Sequence, residues 1–270
     1  MTHLTALGPP LYDLLSGVYD RWLTGDEAAQ PCLAFYVDEL RDGAGPVLEL
    51  GVGTGRISRA LSSAGVGVVG LDASMEMLRH GRAAQRADQP PPTSDGAAAV
   101  CGLFERLPFA GGAFATVILP MRTLGHLVDQ LHRSAMFDEV ARTLRPGGRF
   151  VFDHYNLDRG WAEEHDGRPR LMYAGPGDVG EDTALLIWDR YDYDFDARIL
   201  HCTVLMEEVR AGSTLQSSSS VEFDFRWFEV GEIHEQAAEA GLAVERCWGD
   251  FDRTLFSSDA EHMIFVLRKP

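Results

Sequence analysis

Three glycines stand at alternate positions directly after a short apolar run in the segment VLELGVGTGR. Gly51, Gly53 and Gly55 have no side chain, so a ligand can approach the main chain closely there. The acidic Glu49 lies near the end of the apolar run, and Asp72 ends a second apolar run about twenty residues farther along the chain. A carboxylate at that second position can accept both hydroxyls of a ribose. The spacing therefore predicts a nucleoside site.

The third glycine of the dinucleotide fingerprint G-x-G-x-x-G is replaced here by Arg56. This replacement argues against a nicotinamide-dependent oxidoreductase. The nine histidines are scattered, and no carboxylate–histidine pair has ligand spacing on one helix, so we expect no metal site. The sequence also lacks the nucleophile-elbow signature of serine hydrolases.

A second group of candidates follows two later apolar runs. His126 comes shortly after FATVILP, in the stretch LPMRTLGHL, and a neutral imidazole can accept a proton. His154 and Tyr155 end the run RFVFDHY. Functional groups of open α/β sheets lie beyond the carboxyl ends of the parallel strands. We therefore expect a catalytic role for His126 and substrate-facing positions for Met121, His154 and Tyr155; a helix-capping or surface-turn histidine is the alternative for His126.

The N-terminal segment is rich in aromatic residues, which include Tyr12, Tyr19 and Trp22. Tyr19 and Trp22 are one helical turn apart and share a face. We assign a catalytic position to Tyr12 and a substrate contact to Trp22. An aromatic stripe at this spacing that belongs only to the core is the alternative.

Apolar runs alternate with helical patterns through the first half of the chain. Strands are predicted at 46–51, 66–72, 97–102, 114–120 and 149–155, and helices at 10–42 in two pieces, at 55–64, from Ser74 onward and at 129–144. This alternation predicts an α/β fold with a doubly wound sheet. Segments between 171 and 227 alternate with period two, which indicates an antiparallel β insertion, or lid, after the fifth strand.

These elements divide the chain into four predicted parts. They are an N-terminal helical cap at 1–45, a cofactor-binding α/β core at 46–156, an antiparallel β lid for the substrate at 157–227, and a C-terminal helix with an antiparallel strand pair at 228–270 that completes the core sheet.

The 270 residues include 41 acidic and 24 basic side chains, a net charge of −17. Such a surface repels nucleic acid, and no basic patch compensates, so a small-molecule acceptor is favoured over RNA or DNA. No run approaches the roughly 18 apolar residues of a membrane span, and the first residues lack the pattern of a secretory signal. The four cysteines contain no CxxC pair, which is typical of reduced thiols. We expect a cytoplasmic protein that binds neither nucleic acid nor membrane, with its oligomeric state open.

Taken together, the motifs resemble those of class I S-adenosylmethionine-dependent methyltransferases. LELGVGTGR is similar to the first motif of that family and GLDASMEML to the second, and LPFAGGAFATVILP and LRPGGRF match later motifs in order and spacing. The resemblance covers most of the chain. It implies a seven-stranded Rossmann-like sheet with an antiparallel last pair of strands, S-adenosyl-L-methionine as cofactor and S-adenosyl-L-homocysteine as product.

Cofactor contacts are implied wherever this sequence matches the family's motifs. Glu49 would support the ammonium of the cofactor and Asp72 would bind its ribose. The family often has an aspartate that reads the adenine amino group where this sequence has Leu103, so backbone groups there would read the adenine edge instead. The implied cofactor set is Tyr19, Glu49, Gly51, Gly53, Asp72, Ala73, Met77, Leu103, Phe104 and Leu119.

The stretch RTLGHL is similar to the SSxGHL segment of sugar N,N-dimethyltransferases, in which the histidine lies beside the acceptor amine. We therefore expect methyl transfer to nitrogen, with oxygen second, on an amino sugar or another specialised metabolite. One alternative is an RNA or protein methyltransferase, which the net charge and the lack of an (N/D)PP(Y/F) tetrapeptide argue against. The other is a non-catalytic protein that binds the cofactor or its demethylated product.

Overall fold

The computed structural model describes residues 11–42, 45–88, 98–178, 182–210 and 214–270. The predicted positions 1–10 and 97, and parts of the predicted lid at 179–181 and 211–213, lie outside the described residues. The eleven strands described are β1 (Val47–Leu50), β2 (Val68–Asp72), β3 (Ala98–Cys101), β4 (Phe114–Leu119), β5 (Leu144–Tyr155), β6 (Arg170–Pro176), β7 (Thr183–Asp194), β8 (Ile199–Arg210), β9 (Thr214–Arg226), β10 (Ala243–Trp248) and β11 (His262–Arg268).

Seven strands form the main sheet, in the order β10-β11-β5-β4-β1-β2-β3. Strands β1 to β5 run parallel to one another, whereas β11 runs antiparallel to both β5 and β10. The order reverses between β1 and β4, and ligands of such sheets bind outside the carboxyl ends of the strands at this point. The predicted seven-stranded α/β sheet is therefore confirmed.

Helices cover both faces of this sheet. They are α1 (Tyr19–Trp22), α2 (Ala29–Leu40), α3 (Arg56–Ser63), α4 (Met75–Asp88), α5 (Gln130–Thr143), α6 (Arg159–His165) and α7 (Val230–Glu239). Successive residues of a strand point to opposite faces. Leu48 and Leu50 of β1 accordingly pack in a core with α5 and α7, and Val47 packs in a second core with α2 and α3. Burial on both faces explains why β1 and β4 read as continuous apolar runs.

The predicted antiparallel insertion after β5 is also confirmed, as a four-stranded sheet in the order β6-β7-β8-β9. Its inner face, which includes Ile187, Val204 and Val221, packs on Leu15 and Trp22 of the N-terminal segment. Asp189 and Tyr191 of β7 lie on the packed side, and Arg190 is exposed. The lid therefore rests on the N-terminal segment as well as on the core.

The N-terminal segment differs from the predicted pair of long helices. Only α2 is long; α1 has four residues, and 3-10 helices form at Leu11–Asp13 and Leu23–Gly25. Gly17 and Gly25 favour such interruptions because glycine is a poor helix former. Two other differences are smaller: β5 begins at Leu144 instead of 149, and α6 was not predicted. Among the described residues, no helix is long and apolar enough to span a membrane.

Candidate active site

The glycine loop after β1 is joined to the loop after β2 by Asp72. Gly51 and Gly53 have φ of 68° and 55°, a region that side chains disfavour. The N–H of Gly53 donates to Oδ2 of Asp72 at 2.8 Å, and the N–H of Ser74 donates to Oδ1 at 2.8 Å. Burial raises the pKa of Asp72, and these backbone donors oppose the rise. Each carboxylate oxygen has two lone pairs, so Asp72 can still accept ribose hydroxyls.

Glu49 is 2% exposed at the end of β1. The hydroxyl of Ser58 donates to its Oε2. Burial raises the pKa of Glu49 to about 8, although the Ser58 hydrogen bond and the charge of Arg56 lower it. A buried carboxyl of this kind is mostly neutral at pH 7. A cation placed next to it would favour the ionised form.

The other predicted cofactor residues divide into two groups. Met77 is buried, and its Cε lies 3.2 Å from where a Cβ on Gly53 would stand. The ring of Phe104 lies 3.6 Å from the corresponding point at Gly51. Leu119 instead packs in the core, and Leu103 is 53% exposed. Ala73 is exposed beside Asp72. Of these residues, Met77 and Phe104 therefore lie directly against the glycine loop.

The N-terminal segment lies against the two loops that Asp72 joins. The hydroxyl of Thr54 donates to Oδ1 of Asp20 at 2.7 Å, and that of Ser74 donates to the carboxylate of Asp13. Tyr19 of the same segment is also close to these loops. Burial raises the pKa of its phenol, the charge of Arg56 lowers it, and the charge of Asp72 raises it. The segment thus reaches the loops after β1 and β2.

Tyr12 and His126 meet at the centre of the site. The Oη of Tyr12 and Nε2 of His126 are 2.7 Å apart, a hydrogen bond across 114 residues of sequence. The rings of Phe223 and Phe225 lie 5.4 Å and 5.0 Å from the His126 ring, and that of Tyr19 lies 5.6 Å from Tyr12. Burial lowers the pKa of His126 to about 4, so the imidazole is neutral at pH 7.

The predicted substrate residues have different surroundings. His154 is fully buried: its Nδ1 accepts from the N–H of Tyr155 at 2.9 Å, so its Nε2 donates to the carbonyl of Arg226 at 2.9 Å. Both ring nitrogens are therefore used within the protein. Tyr155 lies beneath the guanidinium of Arg122, 5.3 Å from its ring centroid. Trp22 packs under the lid.

Met121 occupies the turn after β4, where its N–H donates to Asp153 and its sulfur accepts from Arg56 at 3.3 Å.

Several residues at this site were not predicted. Thr123 lies against the glycine loop, with Cγ2 2.9 Å from where a Cβ on Gly51 would stand. Arg122 lies in the turn beside it, and its N–H donates to Asp153 of β5. The alternation in SSVEFDFRWF does place Phe223 and Phe225 on one face, a signal that could have identified them. Within the described ranges, no three His, Cys, Asp or Glu side chains are grouped so as to bind a metal ion.

Comparisons with known proteins find methyltransferases of similar sequence and structure. Residues 47–148 match the model of a methyltransferase domain family. A cypemycin N-terminal methyltransferase from Streptomyces is 27% identical over 83% of this chain and 82% of its own length. The CcbJ methyltransferase of Streptomyces caelestis superposes with a TM-score of 0.74 at 24% identity, over 97% of this chain and 98% of its own. The S-adenosylmethionine-bound amino pentose methyltransferase CalS10 of Micromonospora echinaspora superposes with a TM-score of 0.64 at 19% identity, over 99% of this chain and 100% of its own. Residues 47–148 are therefore similar to a methyltransferase domain, and the chain as a whole has the same fold as these solved methyltransferases.

Proposed function

We propose that this protein transfers a methyl group from S-adenosyl-L-methionine to an amine nitrogen of a small molecule, such as an amino sugar or another specialised metabolite. The observation that carries this proposal is the hydrogen bond between Tyr12 and a neutral, partly buried His126 at the junction of glycine loop, N-terminal segment and lid. Oxygen acceptors are the second choice.

The residues at the carboxyl ends of β1 and β2 fit the cofactor. Gly51 and Gly53 form a cradle that a Cβ would fill, since Thr123 and Met77 already approach to 2.9 Å and 3.2 Å of those points. Asp72 is the acceptor for the ribose, and Glu49 is the buried carboxyl for the ammonium. The bound cofactor supplies a methyl group already activated on a sulfonium. The protein must therefore mainly place the nucleophile and exclude water.

His126 is suited to orient an amine. Because its pKa is lowered to about 4, its ring has one unprotonated nitrogen throughout the neutral range, and the pair it forms with Tyr12 can accept a hydrogen bond. An N–H of a neutral amine would donate to the His126–Tyr12 pair, which would leave the amine lone pair unprotonated and available as the nucleophile. The same groups then stabilise the positive charge that develops on nitrogen. A base this weak does not deprotonate an ammonium efficiently, so its role is orientation and charge stabilisation.

The aromatic surroundings favour the same acceptor. The aromatic rings of Tyr12, Phe223 and Phe225 surround His126, and aromatic rings attract a methylated ammonium. The net charge of −17 also attracts cationic small molecules. Two of the compared proteins act, by their names, on a peptide N-terminus and on an amino pentose.

The test uses methyl-labelled S-adenosylmethionine with four acceptor sets: amino sugars, the matching sugars with hydroxyl in place of amine, a peptide with a free N-terminus, and RNA. We expect label in the amine-bearing small molecules. His126→Ala should abolish it, and His132→Ala, an exposed histidine on α5, should leave it unchanged. Label only in RNA or protein, or binding without any transfer, would contradict the proposal.

A further inference from the structure

The turn after β4 contains two consecutive residues in the left-handed region that are not glycine. Met121 has a φ of 59° and Arg122 a φ of 60°. In this region Cβ approaches the residue's own carbonyl oxygen, so non-glycine residues adopt it rarely. Such strain persists where surrounding groups hold the backbone in place, and it is concentrated at functional sites.

The carboxylate of Asp153 on β5 holds both residues. Its Oδ1 accepts from the N–H of Met121 at 2.9 Å, and its Oδ2 accepts from the N–H of Arg122 at 3.0 Å. Tyr36 of α2 donates its hydroxyl to Oδ1 at 2.8 Å. Asp153 is 2% exposed. Burial raises its pKa, and the hydrogen bonds from Tyr36 and the two amides, with the charge of Arg122, act against the rise.

The turn positions three parts of the site. The 3-10 helix Thr123–His126 begins directly after Arg122. At its start Thr123 lies against Gly51, and at its end His126 contacts Tyr12. The Arg122 guanidinium pairs with Asp26 in the N-terminal segment. A change in the backbone at Met121 and Arg122 would therefore move both Thr123, which lies against the glycine loop, and His126.

We infer that Asp153 is a positioning residue, whose carboxylate fixes the strained turn through two amide hydrogen bonds and so places His126 beside Tyr12 and Thr123 beside Gly51. Its effect on catalysis rests on the proposed function, because Asp153 acts on Thr123 and His126 through the turn. The placement itself is a property of this chain and is measurable without an acceptor.

The ionisation of the His126 ring, followed by NMR, tests this placement. Asp153→Asn keeps the shape of the side chain but turns an NH₂ group toward one of the two amide donors. Tyr36→Phe is the matched control, because it removes a hydrogen bond to the same carboxylate and leaves both amide bonds in place. We expect the His126 pKa, lowered to about 4 in the wild type, to rise toward 6.5 by about one unit or more in Asp153→Asn. In Tyr36→Phe it should stay within about 0.3 units.

Calorimetry with S-adenosylhomocysteine provides a second readout. Asp153→Asn should weaken its affinity about tenfold, because Thr123 leaves Gly51, and Tyr36→Phe should weaken it less than about threefold. A folded Asp153→Asn protein with an unchanged His126 pKa and affinity would overturn the inference, as would equal effects of both variants. If the wild type methylates no amine, the proposed function fails while these measurements still decide the role of Asp153.

Amide hydrogen exchange of the wild type tests the inference even where Asp153→Asn does not fold. The N–H groups of Met121 and Arg122 should exchange slowly, since a buried carboxylate accepts from both. Exchange as fast as that of unbonded loop amides would show that the carboxylate does not hold the turn.

Discussion

Cofactor binding should release a proton from Glu49. Its pKa of about 8 means that about nine-tenths of the carboxyl is neutral at pH 7 in the free protein. An ammonium next to the carboxyl favours the ionised form and returns its pKa toward the ordinary value of 4.5. Binding at pH 7 should therefore release about 0.9 proton.

The size of the effect follows from the same two pKa values. A difference of about 3.5 units corresponds to roughly 5 kcal/mol between the protonation states. Below pH 8 the protein must lose a proton before it binds, so affinity should fall about fiftyfold between pH 8 and pH 6. Glu49→Gln has no proton to lose. It should bind about ten- to a hundredfold more weakly than wild type at pH 8, through loss of one charged hydrogen bond, and nearly as well at pH 6.

Titration calorimetry with S-adenosylhomocysteine measures both quantities. Heats in phosphate and in Tris, which differ in ionisation enthalpy, give the number of protons released, and Glu49→Gln corrects for protons from the ligand. Urea unfolding checks the same pKa without ligand. A raised pKa stabilises the fold fully below pH 4.5 and loses this contribution as pH rises through 8, so Glu49→Gln should gain stability relative to wild type over that range. Wild-type affinity that is flat from pH 8 to pH 6, or an equal slope in the variant, would refute the reasoning.

Three further substitutions separate the parts of the site. Asp72→Ala should weaken S-adenosylhomocysteine binding at least about tenfold by calorimetry, because it removes the ribose acceptor and frees two amides; unchanged affinity would disprove the ribose assignment. His126→Ala should lower turnover about a hundredfold or more while product affinity changes little, and equal turnover would exclude it from catalysis. Gly125→Ala should destabilise the fold by about 1–3 kcal/mol, seen as a lower Tm, because a Cβ there would stand 2.2 Å from the Phe225 ring. A Tm equal to that of wild type would show that Phe225 of β9 does not pack on the 3-10 helix Thr123–His126.

The sheet could be predicted because its signals are local. The central strands β1 and β4 are buried on both faces and so are mostly apolar, and Gly51 and Asp72 mark the ends of β1 and β2. The lid strands could be predicted for a similar reason, since one packed and one exposed face give a period of two. The hairpin between β7 and β8 falls at DFDAR, as its sequence indicates.

The turn after β4 could not be predicted in the same way. In a sequence, a left-handed backbone conformation is usually predicted from a glycine. Here Met121 and Arg122 adopt it because Asp153, about thirty residues later, accepts hydrogen bonds from their backbone amides. The short 3-10 helices of the N-terminal segment likewise depend on partners far away in sequence, such as Ser74 for Asp13. His154 lies near the end of β5, yet both of its ring nitrogens form hydrogen bonds with backbone groups, those of Tyr155 and Arg226. Contacts over such distances leave no periodic pattern.

The hydrogen bond between Tyr12 and His126 joins two parts of the chain that are held in place by different contacts. His126 is held by the core through the turn after β4, with Phe223 and Phe225 of the lid against its ring. Tyr12 belongs to the N-terminal segment and packs with Leu15 against the inner face of the lid, which includes Phe223. The glycine loop and Asp72 belong to the core and are joined by the hydrogen bond from Gly53, with the N-terminal segment against them. Substitutions in the lid should therefore alter the position of Tyr12, and with it acceptor choice and turnover, more than cofactor affinity. In this arrangement acceptor specificity can change through the lid while the methyl-donor site stays the same.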